Sequence, residues 1–188
     1  NGGIKPRIDV AFNFTDLDVT PEAHAVISSV DRLAKKENVY NPQFDFDVLA
    51  DVKSVRTTYK GQQIKNFETS VDWVENILTL NNFSATVPGD TDIKIKGTIS
   101  AFEDKPFYNL DTNLSSNDFL KTLTWLGVAP DVSAAATYRK AVGNAKFTGT
   151  LQRVQISPFS FTLDKSSVSG EVGIKLEAPR KDIMLIAN

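Results

Sequence analysis

The sequence predicts an α+β protein, mostly β: repeated antiparallel strand modules forming a curved sheet or half-open groove, with short amphipathic helices packed on it. Three observations carry this. Residues 66–100 and 146–177 alternate apolar and polar side chains at the two-residue period of a half-buried strand. Ile93, Ile95 and Ile99 interleave with Lys94, Lys96 and Thr98, and Val172, Ile174 and Leu176 with Gly173, Lys175 and Glu177. Turn residues such as Pro88-Gly89-Asp90 separate the runs, and helical spacing is confined to short stretches. Each strand therefore has one oily face and one wet face, and the oily face must be buried against another layer or against a ligand.

Alternation opens at Ile8, Val10, Phe12 and Phe14 and gives way at Thr20-Pro21-Glu22, an N-cap, a proline at the first helical position and an acid in the first turn. Ala23, Val26, Ile27, Val30, Leu33 and Ala34 then recur at three- and four-residue spacing, which predicts an amphipathic helix over 21–36. After Asn41-Pro42 a long strand, with Phe44, Phe46 and Val48 alternating with Asp45, Asp47 and Leu49, runs to a turn at Lys60-Gly61. Residues 66–100 are expected to hold four short strands. Within them Asn81-Asn82 shifts the apolar parity from Leu78 and Leu80 to Phe83, Ala85 and Val87, the mark of a bulge or kink. The pattern restarts with a strand over 107–114 and a helix capped by Ser116-Asn117-Asp118, whose stripe of Phe119, Leu120, Leu123 and Leu126 stops at Gly127. A further helix over 133–142 with Gly143 as its stop, strands over 145–155, 159–163 and 168–177, and a third opening over 179–187 complete the reading. This divides the chain into modules at 1–104, 105–178 and 179–188, read as one continuous domain excised from a longer chain. The openings at Ile8, Phe107 and Ile183 are unevenly spaced, which is loose repetition and not a solenoid period.

With 188 residues, 41% of them hydrophobic and 10% aromatic, the chain can bury a sizeable core. Its 21 Lys and Arg against 23 Asp and Glu are interspersed, and the pI is near 5.5, so no basic stripe gathers phosphates and nucleic acid is not an expected partner. The absence of cysteine excludes disulfides and thiolate metal sites and leaves the compartment open. No stretch approaches the roughly 20 apolar residues of a membrane span, so any anchor is expected outside this chain.

Catalytic chemistry finds little footing. His24, the one histidine, sits in the first turn of a predicted helix with no nucleophile motif beside it. Ser54, Ser70 and Ser84 lie within strands and form no nucleophile elbow. Asp45 with Asp47, and Asp90 with Asp92, could mimic carboxylate pairs, but acids on the wet side of a strand are ordinarily solvated. Asp90-Thr91-Asp92 lacks the acid ladder and closing Glu of a calcium loop, and Gly170 and Gly173 stand where bulges fall. No catalytic residue, metal site or cofactor is expected. The aromatic residues are more telling, because Phe12 with Phe14, Phe44 with Phe46 and Phe159 with Phe161 occur as alternating pairs. Either the helices over 21–36 and 116–126 cover the sheet as an ordinary core, or, since about a dozen strands carry more oily face than short helices can cover, the residual face closes into a barrel or stays open as a groove.

The run from Phe44 to Ser100, followed by FYNLDTNLSSNDFLKTLTWLGV, and the later KFTGTLQRVQISPFSFTLDKSSVSGEVGIKL with its restart at Ile183, resemble the repeated β-module of the AsmA family. The shared features are the strand ending in Gly97-Thr98-Ile99, the restart strand, and the capped helix opening at Asn117, Asp118, Phe119 and Leu120. The resemblance covers nearly the whole chain as a rhythm of strands. It implies a periplasmic segment of an inner-membrane-anchored protein involved in outer-membrane assembly, which shields or conducts phospholipid along an apolar sheet face and carries no catalytic residues. On that reading Phe12, Phe14, Phe44, Phe46, Ile93, Ile95, Phe159 and Phe161 are the candidate lipid-facing residues. The alternative is a non-enzymatic envelope scaffold with a fully packed core that binds envelope proteins through its strand edges.

Overall fold

The structure, a computed structural model, describes residues 5–19, 46–75, 77–100, 106–130, 138–150, 152–175 and 182–187. These residues form a ladder: β1 (Arg7–Val19), β2 (Asp47–Tyr59), β3 (Gln62–Val74), β4 (Ile77–Val87), β5 (Thr91–Ser100), β6 (Phe107–Ser116), the helix α1 (Phe119–Leu126), β7 (Ala141–Gly149), β8 (Arg153–Leu163), β9 (Ser166–Lys175) and β10 (Asp182–Ala187). The order across the single sheet is the order along the chain, so the mostly β class and the curved, open sheet with a short helix are as expected. All neighbours are antiparallel except β1 and β2, which run parallel. A parallel pair needs a long connection, and the two strands are well separated along the chain, β1 ending at Val19 and β2 starting at Asp47. The helix expected over 21–36, with His24, and the residues Phe44 and Asp45 lie outside the described residues.

Most strand limits follow the alternation, and four expectations are corrected. Residues 66–100 hold three strands and not four: the rest of β3, then β4 and β5. The run expected as one strand over 145–155 is two, because Thr150 makes a turn. Its Oγ1 accepts the backbone N–H groups of Gln152 and Arg153, and its own N–H donates to the Arg153 carbonyl at 2.8 Å. Pro158, expected at a strand boundary, is inside β8, where the ladder to β9 shifts register between Ile156 and Phe159; a bulge tolerates the missing N–H. Finally, Ala141, Val142 and Gly143 extend as β7 and do not end a helix. The three amides before them, at Tyr138, Arg139 and Lys140, donate to the Asp164 carboxylate and are spent before a helical turn can use them.

Residues opposed across a ladder share a face. Following the registers places Ile93 and Ile95 on the same side as Ala85 and Phe83 of β4 and Leu114 and Thr112 of β6. The same side takes Ala145 and Gly143 of β7 and Phe159 and Phe161 of β8. On several strands the apolar series takes one step of three residues instead of two: Phe14 to Leu17, Ser54 to Thr57, Ile64 to Phe67, Leu80 to Phe83, and Ile156 to Phe159. Each step is an irregularity of the ladder. Asn81 is skipped by both β3 and β5, and Asn66 takes a positive φ of 51° beside the unpaired Val55. The extra residue restores the parity that an unbroken strand would lose, and bulges of this kind bend and twist the sheet.

Gly97 shows how tight the bulged region is. It has φ 145° and faces the apolar side between Leu80 and Leu110, and a Cβ there would collide with the Asn109 carbonyl oxygen and lie 2.8 Å from Leu110 Cα. Gly97→Ala is expected to cost about 2 kcal/mol, the range for a strained backbone position. Thermal unfolding should register this as a fall of about 4–8 °C in Tm, with the exposed Lys96→Ala as a near-neutral control.

Candidate functional site

One face of the sheet is apolar across all nine strands whose side chains are described in full or nearly so, from Ile8, Val10 and Phe12 on β1 to Val172 and Ile174 on β9. The other face is polar. It carries Asp92, Lys94 and Lys96 beside Asn113 and Asp111, and directly opposed ion pairs of Lys53 with Glu68 at 2.8 Å and Arg56 with Asp16 at 2.7 Å. No described residue lays a second layer over the middle of the apolar face. Consequently the only fully buried apolar residues among those described are Ala85, Val87 and Ala141, all at one end. Ile93, Ile95, Phe83 and Leu114 remain half-buried.

The candidate residues assemble partly as expected. Phe12, Phe14, Ile93, Ile95, Phe159 and Phe161 share the apolar face; Phe46 immediately precedes β2, and Phe44 is not described. Phe12 and Phe14 stack with centroids 6.3 Å apart on the edge strand and are 50% and 37% exposed. Phe159 and Phe161, with Leu114, Ala145, Phe147 and Ile156, line an almost wholly apolar hollow of about 280 Å³. Selection by aromatic pairs missed Phe67, whose ring meets that of Phe83 edge to face at 5.7 Å, and missed Phe147. The three-residue steps were the signal that would have found Phe67 and Phe83.

One end of the face is closed by α1. Its N-cap Asp118 and left-handed Gly127 at its stop agree with the expected limits. Phe119, Thr122 and Trp125, three residues apart, reach different strands in turn. Phe119 meets Phe161 of β8 at 5.6 Å, the Thr122 hydroxyl lies 2.5 Å from that of Thr91 on β5, and Trp125 meets Tyr59 of β2 at 6.1 Å. A flat sheet would hold β2 and β8 about 29 Å apart, whereas Phe119 and Trp125 are separated by about 9 Å of helix. The sheet therefore curls toward its apolar side, making that side the inside of a trough.

The helix is fastened by a buried knot of hydroxyls. Thr91 Oγ1 lies 2.5 Å from both Ser116 Oγ and Thr122 Oγ1, Thr122 donates to the Pro88 carbonyl at 2.8 Å, and Ser116 donates to the Gly89 carbonyl at 3.3 Å. Gly89, at φ 97°, accepts the Asp118 N–H, and a Cβ on it would collide with the Asp118 carbonyl oxygen. At the other side of the helix, Phe119 and Leu120 donate their N–H groups to the Arg139 and Tyr138 carbonyls. Residues 138–140 in turn are gripped by Asp164 in the β8–β9 turn.

Asp92 Oδ1 accepts a hydrogen bond from Thr86, and among the described residues no three His, Cys, Asp or Glu side chains could hold a metal ion. No described helix is long and apolar enough to cross a membrane, which does not bear on β-barrels. What the described face offers is apolar contact, which is non-directional.

No family model matches this chain, and no curated protein or solved structure does.

Asp164 links this geometry to pH. Hydrogen bonds from the backbone N–H of Lys140, and then of Tyr138 and Arg139, hold its carboxyl below the ordinary carboxylate value, against a smaller opposing effect of desolvation. A lowered folded-state pKa stabilises the protein above the unfolded carboxylate's value of about 3.9 and loses that contribution as pH falls through the folded value. Asp164→Asn should therefore melt below the wild type at neutral pH, with the gap closing on acidification below the carboxylate range. A gap that stays constant with pH would show that the charge does not matter.

Proposed function

We propose that this chain is a non-enzymatic lipid-handling segment whose apolar trough shields or conducts the acyl chains of phospholipid. The observation that carries the reading is the apolar face itself. It is continuous over nine strands, curls inward, and has no second protein layer over its middle among the described residues. Water is a poor occupant of such a surface, and each methylene of a hydrocarbon placed there gains about 0.8 kcal/mol. Contact of this kind needs no particular residue, which accounts for a chain without catalytic or ligand-binding motifs. The rhythm of strands that resembles the AsmA family supports placing this segment in the periplasm, in a protein anchored at the inner membrane and involved in outer-membrane assembly.

One observation favours a second reading, a scaffold that binds envelope proteins through a strand edge. β1 is a 13-residue edge strand with an apolar side and no internal proline, features that leave a sheet edge open to pairing. Such a scaffold would carry no lipid.

The two readings separate on one measurement. Native mass spectrometry of the purified chain should find bound phospholipid, and Ile93→Asp with Ile95→Asp should remove it while the fold is retained. Loss of one buried isoleucine's contact corresponds to roughly tenfold or more in occupancy. Lys94→Asp, on the polar face, should leave binding unchanged. Equal lipid in the folded Ile93→Asp, Ile95→Asp variant would sink the trough as the binding surface.

A further inference from the structure

Resting on that reading, we propose that α1 is a fixed end wall of the trough, which acyl chains do not pass, and that of the two ends they use the opposite one, past Val48, Trp73, Leu78, Ile99 and Tyr108. These five residues are opposed in a single row across β2 to β6. All are half-buried, and among the described residues no element crosses the sheet in front of them. The matching row at the α1 end is different in kind. Val87, Thr91, Ser116 and Ala141 are likewise opposed in succession, and every one is buried, Thr91 and Ala141 at 0% exposure. Hydrocarbon therefore meets a sealed row at one end and an apolar threshold at the other.

The attachment of α1 is that of a wall and not of a lid. The helix is held at both ends and in the middle: Phe119 on β8, Thr122 in the hydroxyl knot on β5, and Trp125 on β2. Opening it would take from Thr122 both of its partners, the Thr91 hydroxyl and the Pro88 carbonyl, and from Thr91 one of its two, and buried hydroxyls that lose their hydrogen bonds are costly. The outer cleft beside α1 is mostly polar, lined by Gln62, Gln63, Lys65, Asp90 and Lys121 together with Val87 and Pro88, and is a poor path for hydrocarbon. At the opposite end Ile8 of β1 is exposed on the trough face, in line with Val48.

A chain without cysteine allows a direct test. The hydroxyls of Thr91 and Thr122 are close enough for Thr91→Cys and Thr122→Cys to form a disulfide that locks α1 to the sheet. Transfer of a pyrene-labelled phospholipid from phosphatidylcholine vesicles is then timed for the oxidised and reduced forms. Both should load at the wild-type rate; slower loading on oxidation would make α1 a lid and overturn the proposal. Leu78→Asp with Ile99→Asp, at the other end, should slow loading by about tenfold; an unchanged rate also overturns it. Should the cysteine pair disturb folding, benzoylphenylalanine placed singly at Ile99 and at Val168, which lies on the apolar face beside Phe161 near the α1 end, decides the matter by order of crosslinking. Ile99 is expected to react with lipid first, and earlier or simultaneous reaction at Val168 refutes the end wall. A wild-type chain that takes up no label defeats the trough reading itself, an outcome distinct from loading through the wrong end.

Discussion

The contact on which the rest of this structure depends is the one between Thr122 of the helix and Thr91 of the sheet. A ladder of neighbouring strands has no intrinsic reason to curl strongly enough for a helix of eight residues to touch both its second and its eighth strand. The hydroxyl knot fixes the middle of the helix to β5, and the aromatic contacts to Tyr59 and Phe161 draw β2 and β8 toward it. Each neutral hydrogen bond contributes only about 1 kcal/mol net. Their importance is positional: they set the curvature, and the curvature makes an apolar face into an enclosure.

Bulges do the complementary work along the strands. Strands of 10 to 13 residues that stayed regular would be stiff and nearly straight. The three-residue steps at Phe14 to Leu17, Ser54 to Thr57, Ile64 to Phe67 and Leu80 to Phe83 occur on four successive strands, so the bend is shared by the sheet and is not a local defect. Because parity is restored after each step, the face stays apolar on both sides of the bend.

This explains what could be read in the sequence. Strand positions, the helix with its Asp118 and Gly127 limits, and the bulge at Asn81 were legible because a two-residue period and capping residues are local signals. The turn at Thr150 was missed although Gly149 beside it, at φ 131°, marks it, because the alternation continues on both sides and the turn is made by side-chain hydrogen bonds to Thr150. The start of β7 was hidden for a related reason: its amides are captured by Asp164, 24 to 26 residues away in the chain. The described candidate residues chosen as aromatic pairs on β1 and β8 fall on the apolar face but represent it poorly, because membership is decided by register, and Leu80, Phe83 and Leu114 belong to it as fully as Phe159. The hydroxyl knot was the least legible feature. Thr91, Ser116 and Thr122 look like solvated residues in a sequence, and only the turn at Pro88-Gly89 and the helix together bury them.

The distribution of burial ties stability to use. A chain with this much apolar content ordinarily closes its core, yet here complete burial of apolar side chains among the described residues is confined to the α1 end. Elsewhere the sheet is held by backbone ladders and by half-burial of neighbouring side chains against one another. Among the described residues, the free energy that a second layer would supply is left unrealised over the middle of the face, where an apolar occupant would supply it. An occupant bound to such a surface stabilises the fold in proportion to the apolar area it covers, so binding and folding draw on the same face. The α1 end, already satisfied internally, would gain little from an occupant, so the anchoring of the fold and the proposed binding of hydrocarbon fall at different places along the length of one sheet.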